Sequence, residues 1–408
     1  MDTIYERCCG LDIHKDSITA CHRTGRQREL RTFGTRTKDL RELRDWLLAA
    51  GCTHVAMEST GVFWKPIFNV LEGHGLTLLL VNARHMKAVP GRKTDMKDAE
   101  WIAQLLQHGL LQPSFVPDRD QRELREVVRY RRSLIQELAR ETNRIQKVLE
   151  GANIKLAGTI SDVLGVAGRA VLTALVAGET DPEVLANAVT TNVRASREQL
   201  VAALEGEVAA HQRQLLRMQL AHISFLGEQI AALDAEIAQR LTAEVKLIER
   251  LDGIPGVGRR GAEEIIAAIG TDMSRFPSAR HLTSWAQVAP GQNISAGKHK
   301  SGKTQKTKAP LRTTLVEAAR AAGHTKNSYL GAQYRRLARR GGSNRAAIAV
   351  ANSILVIAYH MIKDSTPYTD LGPFHFEQRS KEHAIKRTVK QLEHLLGHKI
   401  DLPDITAA

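Results

Sequence analysis

The spacing of apolar and polar residues divides the chain into a first part with mixed patterns and a longer helical part. Between residues 5 and 115, short apolar runs of strand length alternate with amphipathic patterns of helical period. The predicted elements are two strands within 8–22, strands at 54–57 and 76–81, and helices at 38–50 and 63–71. A hairpin followed by alternating strands and helices predicts a mixed β-sheet covered by helices.

Beyond residue 118 the apolar residues recur at helical spacing. Residues 118–150 predict one helix, and the capping box from Ser196 to Gln199 begins a helix that could extend to about residue 249. At ~1.5 Å per residue this helix would be on the order of 80 Å long, so it is predicted to link domains or pair subunits. Its apolar residues follow the three-four spacing of a coiled coil: Ile223, Leu226, Ile230, Leu233 and Ile237.

The longest apolar run covers residues 346–362 and contains Asn352, Ser353 and His360. Because it is short and interrupted by polar residues, we predict a buried helix and no membrane partner. A charged amphipathic helix is predicted at 378–396. No secretory signal is visible, so we expect a cytoplasmic protein.

Length and charge narrow the class of protein. A chain of 408 residues exceeds one ordinary hydrophobic core, so two or more domains are expected. The 58 Lys and Arg residues outnumber the 44 acids and give a net charge of +14, which indicates a polyanionic partner. Residues 290–345 hold thirteen Lys and Arg residues and one acid, Glu317, a bias more typical of a surface that follows a phosphate backbone than of a solvated face.

The cysteines and one group of arginines are less specific. Cys8, Cys9, Cys21 and Cys52 lack the paired spacing of a zinc site and are predicted to be buried in a reduced protein. The helix at 118–150 carries eight arginines, which fit an ordinary charged helix face and a nucleic-acid contact equally well. These are Arg119, Arg122, Arg125, Arg129, Arg131, Arg132, Arg140 and Arg144.

Four acids are candidates for metal binding. Asp12 and Glu58 stand where predicted strands end or turn, and Asp95 and Asp98 lie three residues apart at a predicted helix start. Magnesium prefers oxygen ligands, and two such ions roughly 4 Å apart can hold the attacking and leaving oxygens of a phosphodiester. Either helical acid alone could be a cap or a solvated first-turn acid, but the combined order of strand, strand and helix favours a metal site. This arrangement resembles the ribonuclease-H/RuvC-like nuclease fold.

Two glycine-containing segments are candidates for nucleic-acid contact. Asp252 to Gly258 matches the turn of a helix-hairpin-helix, where Gly256 and Gly258 would let backbone N–H groups approach a phosphate. A tight turn between packed helices is the alternative. The Gly/Ser/Lys loop at 290–303 contains Ser295 and Ser301, either of which could attack phosphorus, although such loops are usually solvated turns. Candidate phosphate contacts around it are Lys298, Lys300, Lys303, Lys306, Lys308 and Arg312.

Seven segments of the chain, in the order in which the family has them, closely resemble the bacterial insertion-sequence DEDD transposases of the IS110 family. These transposases are the bridge-RNA-guided recombinases. The matching segments are Gly-Leu-Asp-Ile-His-Lys15, Met-Glu-Ser-Thr-Gly-Val-Phe-Trp-Lys-Pro66, Lys-Thr-Asp-Met-Lys-Asp-Ala-Glu-Trp101, Val-Leu-Glu-Gly-Ala-Asn-Ile-Lys155, Ile-Pro-Gly-Val-Gly258, Ser-Arg-Phe-Pro-Ser-Ala279 and Ser-Ala-Gly-Lys298. The chain departs from the family at Gln287 and Val288, where many relatives have Gly-Leu. It also departs at 306–310, where the usual basic glycine-asparagine step is absent.

The resemblance implies a RuvC-like domain whose acids Asp12, Glu58, Asp95 and Asp98 bind Mg²⁺, and a transposase domain whose nucleophile is Ser295. It implies that a non-coding guide RNA pairs with double-stranded donor and target DNA. It further implies that two subunits, in a dimer or a tetramer, form a composite site in which DNA becomes linked to the serine.

We therefore expect an α/β domain with a RuvC-like mixed sheet at 1–117 and a helical, coiled-coil linker and dimerisation region at 118–249. A mostly helical transposase domain with the helix-hairpin-helix and the serine loop is expected at 250–372, and a C-terminal helix and tail at 373–408. The predicted function is RNA-guided DNA recombination by a nucleoid-associated enzyme. The alternatives are a Holliday-junction-type metal-dependent endonuclease and a decayed nucleic-acid-binding regulator.

Overall fold

The computed structural model describes residues 2–58, 61–82, 98–291, 293–295, 298–301 and 309–396. Two compact units are present, Met1–Arg119 and Asp120–Ala408. Asp95, Lys303, Lys306 and Lys308 lie outside the described residues.

The first unit is a five-stranded mixed sheet. Its strands follow the order β3-β2-β1-β4-β5, with antiparallel pairing from β3 to β1 and parallel pairing from β1 to β5. The elements are β1 Arg7–Ile13, β2 Ile18–Thr24, β3 Gln27–Phe33, α1 Thr37–Ala49, β4 His54–Glu58, α2 Trp64–Leu71, β5 Thr77–Val81 and α3 Asp98–Gln107. The predicted mixed sheet with helices is confirmed.

Both faces of this sheet are apolar because strand residues alternate between two layers of helices. On one face, Leu11, Val55 and Met57 pack with the apolar sides of α1 and α2. On the other, Cys8 and Ala56 pack with α3. Strand β3 was not predicted, because its residues are mostly exposed and a polar edge strand lacks the apolar alternation that identifies strands.

All four cysteines are buried and free, as predicted. Burial raises the pKa of the Cys8 thiol to about 11 and that of Cys52 to about 12. These thiols are therefore protonated at neutral pH and act as small apolar side chains.

The second unit is helical apart from one small hairpin. Its elements are α4 Arg119–Gly151 (which begins at the last residue of the first unit), α5 Leu156–Thr159, α6 Val166–Ala177, α7 Pro182–Asn187, α8 Arg197–Leu204, α9 Ala210–Arg240, α10 Val245–Asp252, α11 Gly258–Ile269, α12 Ala279–Trp285, β6 Asn293–Ser295, β7 Lys298–Ser301, α13 Pro310–His324, α14 Tyr329–Gly341, α15 Ser343–Lys363 and α16 His375–Leu396. Short 3-10 turns occupy Thr242–Glu244 and Met273–Arg275.

The prediction of one continuous helix from Ser196 to about residue 249 was wrong. The predicted capping box at Ser196 is present, but α8 ends at Leu204 and α9 begins only at Ala210. A Cβ atom at Gly206 would overlap the backbone oxygen of Ala152, so this close contact holds the chain in a turn. The helix α9, with 31 residues, is about 46 Å long at ~1.5 Å per residue.

The predicted seam on α9 is buried within the chain itself. Leu226 and Ile230 form a cluster with Leu134 of α4, and Leu233 packs against that cluster. Part of the predicted coiled-coil seam therefore packs against α4 of the same chain.

The apolar helix α15 has the length and mean hydropathy (1.6) of a candidate membrane span, but 56% of its apolar window is buried. Buried residues such as Val350, Ile354 and Leu355 belong to the protein core. This burial is the pattern of a core helix, as the sequence predicted.

Candidate functional site

Two of the predicted acids lie side by side in the sheet of the first unit. The parallel strands β1 and β4 pair so that Leu11 lies opposite Met57. The next residues of the two strands, Asp12 and Glu58, are therefore neighbours in register. Because neighbours in register point to the same face, both carboxylates lie on the face of Gly10 and Ala56. That face is covered by α3.

The helix α3 brings a third acid to the same end of the sheet. A Cβ atom at Gly10 would overlap the backbone of Ala99 and Ala103, so α3 lies directly on β1. The N–H of Ile4 donates to the carbonyl of Gln107 over 2.9 Å, which sets the end of α3 beside the start of β1. The helix therefore runs opposite to β1, and its first residue, Asp98, lies toward the end of β1 that carries Asp12.

A histidine that the sequence analysis did not assign contacts one of these acids. His14 Nε2 lies 3.2 Å from Asp12 Oδ2, at hydrogen-bond distance. The Asp12 side chain is 23% exposed, so solvent and ligands can reach its carboxylate. The spacing of two residues in a strand-like segment was the available signal, because it puts the two side chains on one face.

In the second unit, Ser295 is the last residue of β6 and pairs with Lys298, the first residue of β7. The segment predicted as a loop thus contains a short antiparallel hairpin, with Ser295 beside its turn. Lys300 and Ser301 lie on β7 farther from that turn. Arg312 lies in the first turn of α13.

Two family models match the chain. Residues 9–154 match a DEDD transposase model of the IS110 type, and residues 248–335 match the model described as "Transposase IS116/IS110/IS902 family". Together the matches cover more than half of the chain and include both the acids and Ser295. The chain belongs to the IS110 family of transposases. A search among curated proteins gave no match.

Each of these acids of the transposase supplies carboxylate oxygens, the ligand type that a hard divalent cation prefers. Among the described residues, no group of three His, Cys, Asp or Glu side chains is arranged so that it could hold a metal ion. Asp95, between β5 and α3, is outside the described residues. The three described acids therefore lie toward one end of the sheet without forming a group that could itself hold a metal ion.

The predicted helix-hairpin-helix is formed by α10 and α11, and its two glycines have different surroundings. Gly256 has φ +86, and a Cβ atom there would overlap the Ala318 backbone oxygen and lie 2.6 Å from the Ala322 nitrogen of α13. Gly258, with φ +64, begins α11 and has no described atom within 4 Å of its Cβ position. Helix packing therefore requires glycine at 256, whereas Gly258 is open to solvent or a ligand.

We expect Gly256→Ala to lower the free energy of unfolding by at least about 1 kcal/mol more than Gly258→Ala. In both variants, holding alanine in the left-handed backbone conformation costs about 1–2 kcal/mol. Only Gly256→Ala also forces a methyl group against the backbone of a packed helix, which typically costs about 1–3 kcal/mol more. Urea unfolding of the two proteins measures the difference. Equal destabilisation would contradict the packing role of Gly256.

Several arginines of α4 make contacts within the protein. Arg131, 1% exposed, donates to Asp234 Oδ1 over 2.9 Å and to Glu263 Oε2 over 2.6 Å. Other arginines with protein partners are Arg125, Arg132 and Arg144. The exposed Arg129 makes no ion pair or hydrogen bond with any residue in the described ranges. The helix therefore combines structural arginines with a free cation.

Proposed function

We propose that this transposase is a Mg²⁺-dependent, site-specific DNA recombinase that cuts and exchanges strands through a covalent serine–DNA intermediate. The observation that carries the metal part is the placement of Asp12 and Glu58 in adjacent register beneath α3, which begins with Asp98. We assign cation binding to these three acids together with Asp95, and nucleophilic attack to Ser295.

The proposed chemistry follows from the groups involved. A bound divalent cation would neutralise charge on the scissile phosphate and polarise it. The Ser295 oxygen attacks phosphorus, a serine–phosphate bond forms, and the P–O bond to one deoxyribose breaks. That sugar leaves as a hydroxyl and takes up a proton, while the serine proton passes to solvent. A sugar hydroxyl of another strand then attacks the same phosphorus and gives up its proton to solvent, the serine–phosphate bond breaks, and Ser295 takes up a proton, which exchanges the strands.

The basic residues of the second unit would hold the nucleic acids. Lys298 is paired in register with Ser295, and we assign to it the positive charge that would stabilise the attacked phosphate. Gly256, Gly258, Lys300 and Arg312, with the lysines at 303, 306 and 308, complete the proposed contacts to donor DNA, target DNA and guide RNA. These partners place the protein at the bacterial nucleoid in the cytoplasm.

We also propose that the transposase is a homo-oligomer, a dimer or a tetramer, that assembles through the region 118–249. The supporting observation is a second apolar stripe on α9. Leu215, Met218 and Phe225 are exposed by 44%, 63% and 55%, at spacings of three and seven residues. We further propose that residues 1–117 form the catalytic domain, residues 250–372 the transposase domain and residues 373–408 the C-terminal region.

The test is formation of a covalent protein–DNA adduct. The protein is co-expressed with its flanking non-coding DNA, incubated with labelled donor and target DNA and Mg²⁺, and run on a denaturing gel. We expect a labelled protein band that Ser295→Ala abolishes and that Ser301→Ala, the matched change in the same hairpin, retains. Asp12→Asn should also abolish the band, because it removes a cation ligand.

The other outcomes separate the competing functions. Cleavage without any adduct, unchanged in Ser295→Ala, would contradict the serine intermediate and indicate a metal-dependent endonuclease. Nucleic-acid binding with neither cleavage nor adduct would indicate a regulator with a decayed site.

A further inference from the structure

A cavity of about 250 Å³ lies in the second unit, among α4, α11, α12 and the start of α13. Its walls include the apolar side chains of Val128, Trp285 and Leu311. Arg125 and Arg129 of α4 also line it. The cavity thus combines apolar walls with cationic groups.

The volume suits one flat ring system. At about 250 Å³ it is smaller than the roughly 300–1,000 Å³ of pockets for drug-sized ligands. A single nucleobase is a ligand of this size class, whereas two stacked nucleotides are not.

The aromatic wall is held in place before any ligand binds. The Arg125 guanidinium lies 5.7 Å from the centroid of the Trp285 ring, and its Nε donates to the Ala267 carbonyl over 3.1 Å. A second nitrogen of Arg125 donates to the Ala268 carbonyl at the end of α11. The Phe276 ring centroid lies 5.8 Å from that of Trp285, with the two ring planes tilted by 57°. A rigid indole of this kind offers a stacking surface that accepts any base.

Arg129 supplies a free positive charge at the same cavity. Arg132, which also lines it, is committed to the carboxylates of Glu264 and Glu317. Arg129 is exposed and makes no ion pair with any residue in the parts of the chain that the structure describes. A guanidinium without a carboxylate partner is well suited to bind a phosphate oxygen.

The cavity lies where the chain enters and leaves the segment that carries Ser295. Gln287 lines it before β6, and Ala309 lines it directly before α13. Gln287 has φ +60, a left-handed conformation that favours glycine.

We propose that this cavity receives one unstacked nucleobase of a strand bound at the Ser295 hairpin, with a phosphate of that strand on Arg129. The proposal goes beyond the recombinase function. It rests on the proposed binding of nucleic acid at that hairpin but on neither the serine chemistry nor the metal, because it concerns binding alone. The shared ligand chemistry, a base with its phosphate, could come from DNA or from RNA, and the experiment distinguishes these sources.

The test compares short single-stranded oligonucleotides with bases and abasic oligonucleotides of equal length and charge. Binding to the full-length protein is measured by fluorescence anisotropy, with DNA and RNA in separate arms. We expect Ala268→Leu, which fills the cavity from its half-exposed wall, to weaken binding of the base-bearing strand about tenfold. Affinity for the abasic strand should stay unchanged. The matched control is Ala321→Leu, at an exposed position of α13 outside the cavity, which should change neither affinity.

Circular dichroism checks that each variant is folded. Two further variants test the proposal independently of Ala268→Leu. Trp285→Leu removes the stacking surface instead of filling the cavity and should cause the same selective loss. Arg129→Gln should weaken base-bearing and abasic binding equally and reduce the salt dependence by about 0.7 in slope, the value for one phosphate of a single strand. Arg140→Gln, at an exposed arginine of the same helix away from the cavity, should have a smaller effect.

The outcomes decide the proposal. Selective loss of base-dependent binding in Ala268→Leu and Trp285→Leu supports it, and the arm that shows the loss identifies the strand as DNA or RNA. Unchanged base-dependent binding in folded Ala268→Leu or Trp285→Leu would overturn it. Equal effects of Arg129→Gln and Arg140→Gln would overturn the assignment of the phosphate to Arg129.

Discussion

Arg131→Met is expected to lower the free energy of unfolding by about 3–5 kcal/mol, because it leaves the buried Glu263 carboxylate without its main partner. The Arg131 guanidinium joins Asp234 on α9 and Glu263 on α11 to α4. The Glu263 side chain is only 7% exposed, so water cannot replace the lost cation. Arg259 keeps one contact to Glu263 at 3.3 Å, which puts the expected loss toward the lower end of this range.

Urea unfolding followed by circular dichroism measures this loss. With a denaturant slope of roughly 1–3 kcal/mol per molar urea, the unfolding midpoint should fall by about 1 M or more. Arg140→Met is the matched control, because Arg140 is exposed on the same helix, and its effect should stay within about 0.5 kcal/mol. The double variant Arg131→Met with Glu263→Gln should recover part of the loss. Similar midpoints for Arg131→Met and Arg140→Met would show that the buried ion pairs do not stabilise the unit.

Gly10→Ala is expected to reduce formation of the serine–DNA adduct about 100-fold while nucleic-acid binding by the second unit persists. The new methyl group would overlap the backbone of Ala99 and Ala103, so α3 must move away from β1. Asp98 moves with its helix, and a displacement of ~1 Å in a catalytic group can cost about 100-fold in rate. The forced contact should also lower the free energy of unfolding by about 1–3 kcal/mol.

The adduct gel and an anisotropy binding assay, run on the same preparations, separate these effects. Gly227→Ala is the matched control within a helix, because no described atom lies within 4 Å of its Cβ position. That change should raise the free energy of unfolding by about 0.5–1 kcal/mol, the cost of glycine in a helix interior. Adduct formation by Gly10→Ala at the rate of the unchanged protein would mean that α3 does not position the acids.

Much of the fold followed from local patterns. Strands β1, β4 and β5 and helices α1, α2 and α4 were predicted because their apolar residues repeat with the period of the element. The edge strand β3 was missed because its polar residues carry no such period. The interruption before α9 was also missed, because it depends on the contact of Gly206 with Ala152, far away in sequence.

The arginines of α4 show the same limit for side chains. Arg129 and Arg131 are two residues apart on one helix, yet one is exposed and the other is 1% exposed and paired with two acids. Composition cannot distinguish them, because the partners of Arg131 lie on α9 and α11. For the same reason, the sequence did not indicate the cavity beside Trp285, whose walls come from four helices.

The sequence by itself determined the order and type of most elements, the burial of the cysteines and of α15, and membership of the IS110 family through its motifs. These properties depend on residue type and short-range spacing. Only the tertiary structure decided the register of Asp12 against Glu58, the seating of α3 on Gly10, the packing role of Gly256 and the cavity beside Trp285. Each of these depends on atoms brought together from distant parts of the chain, and no local pattern records such contacts.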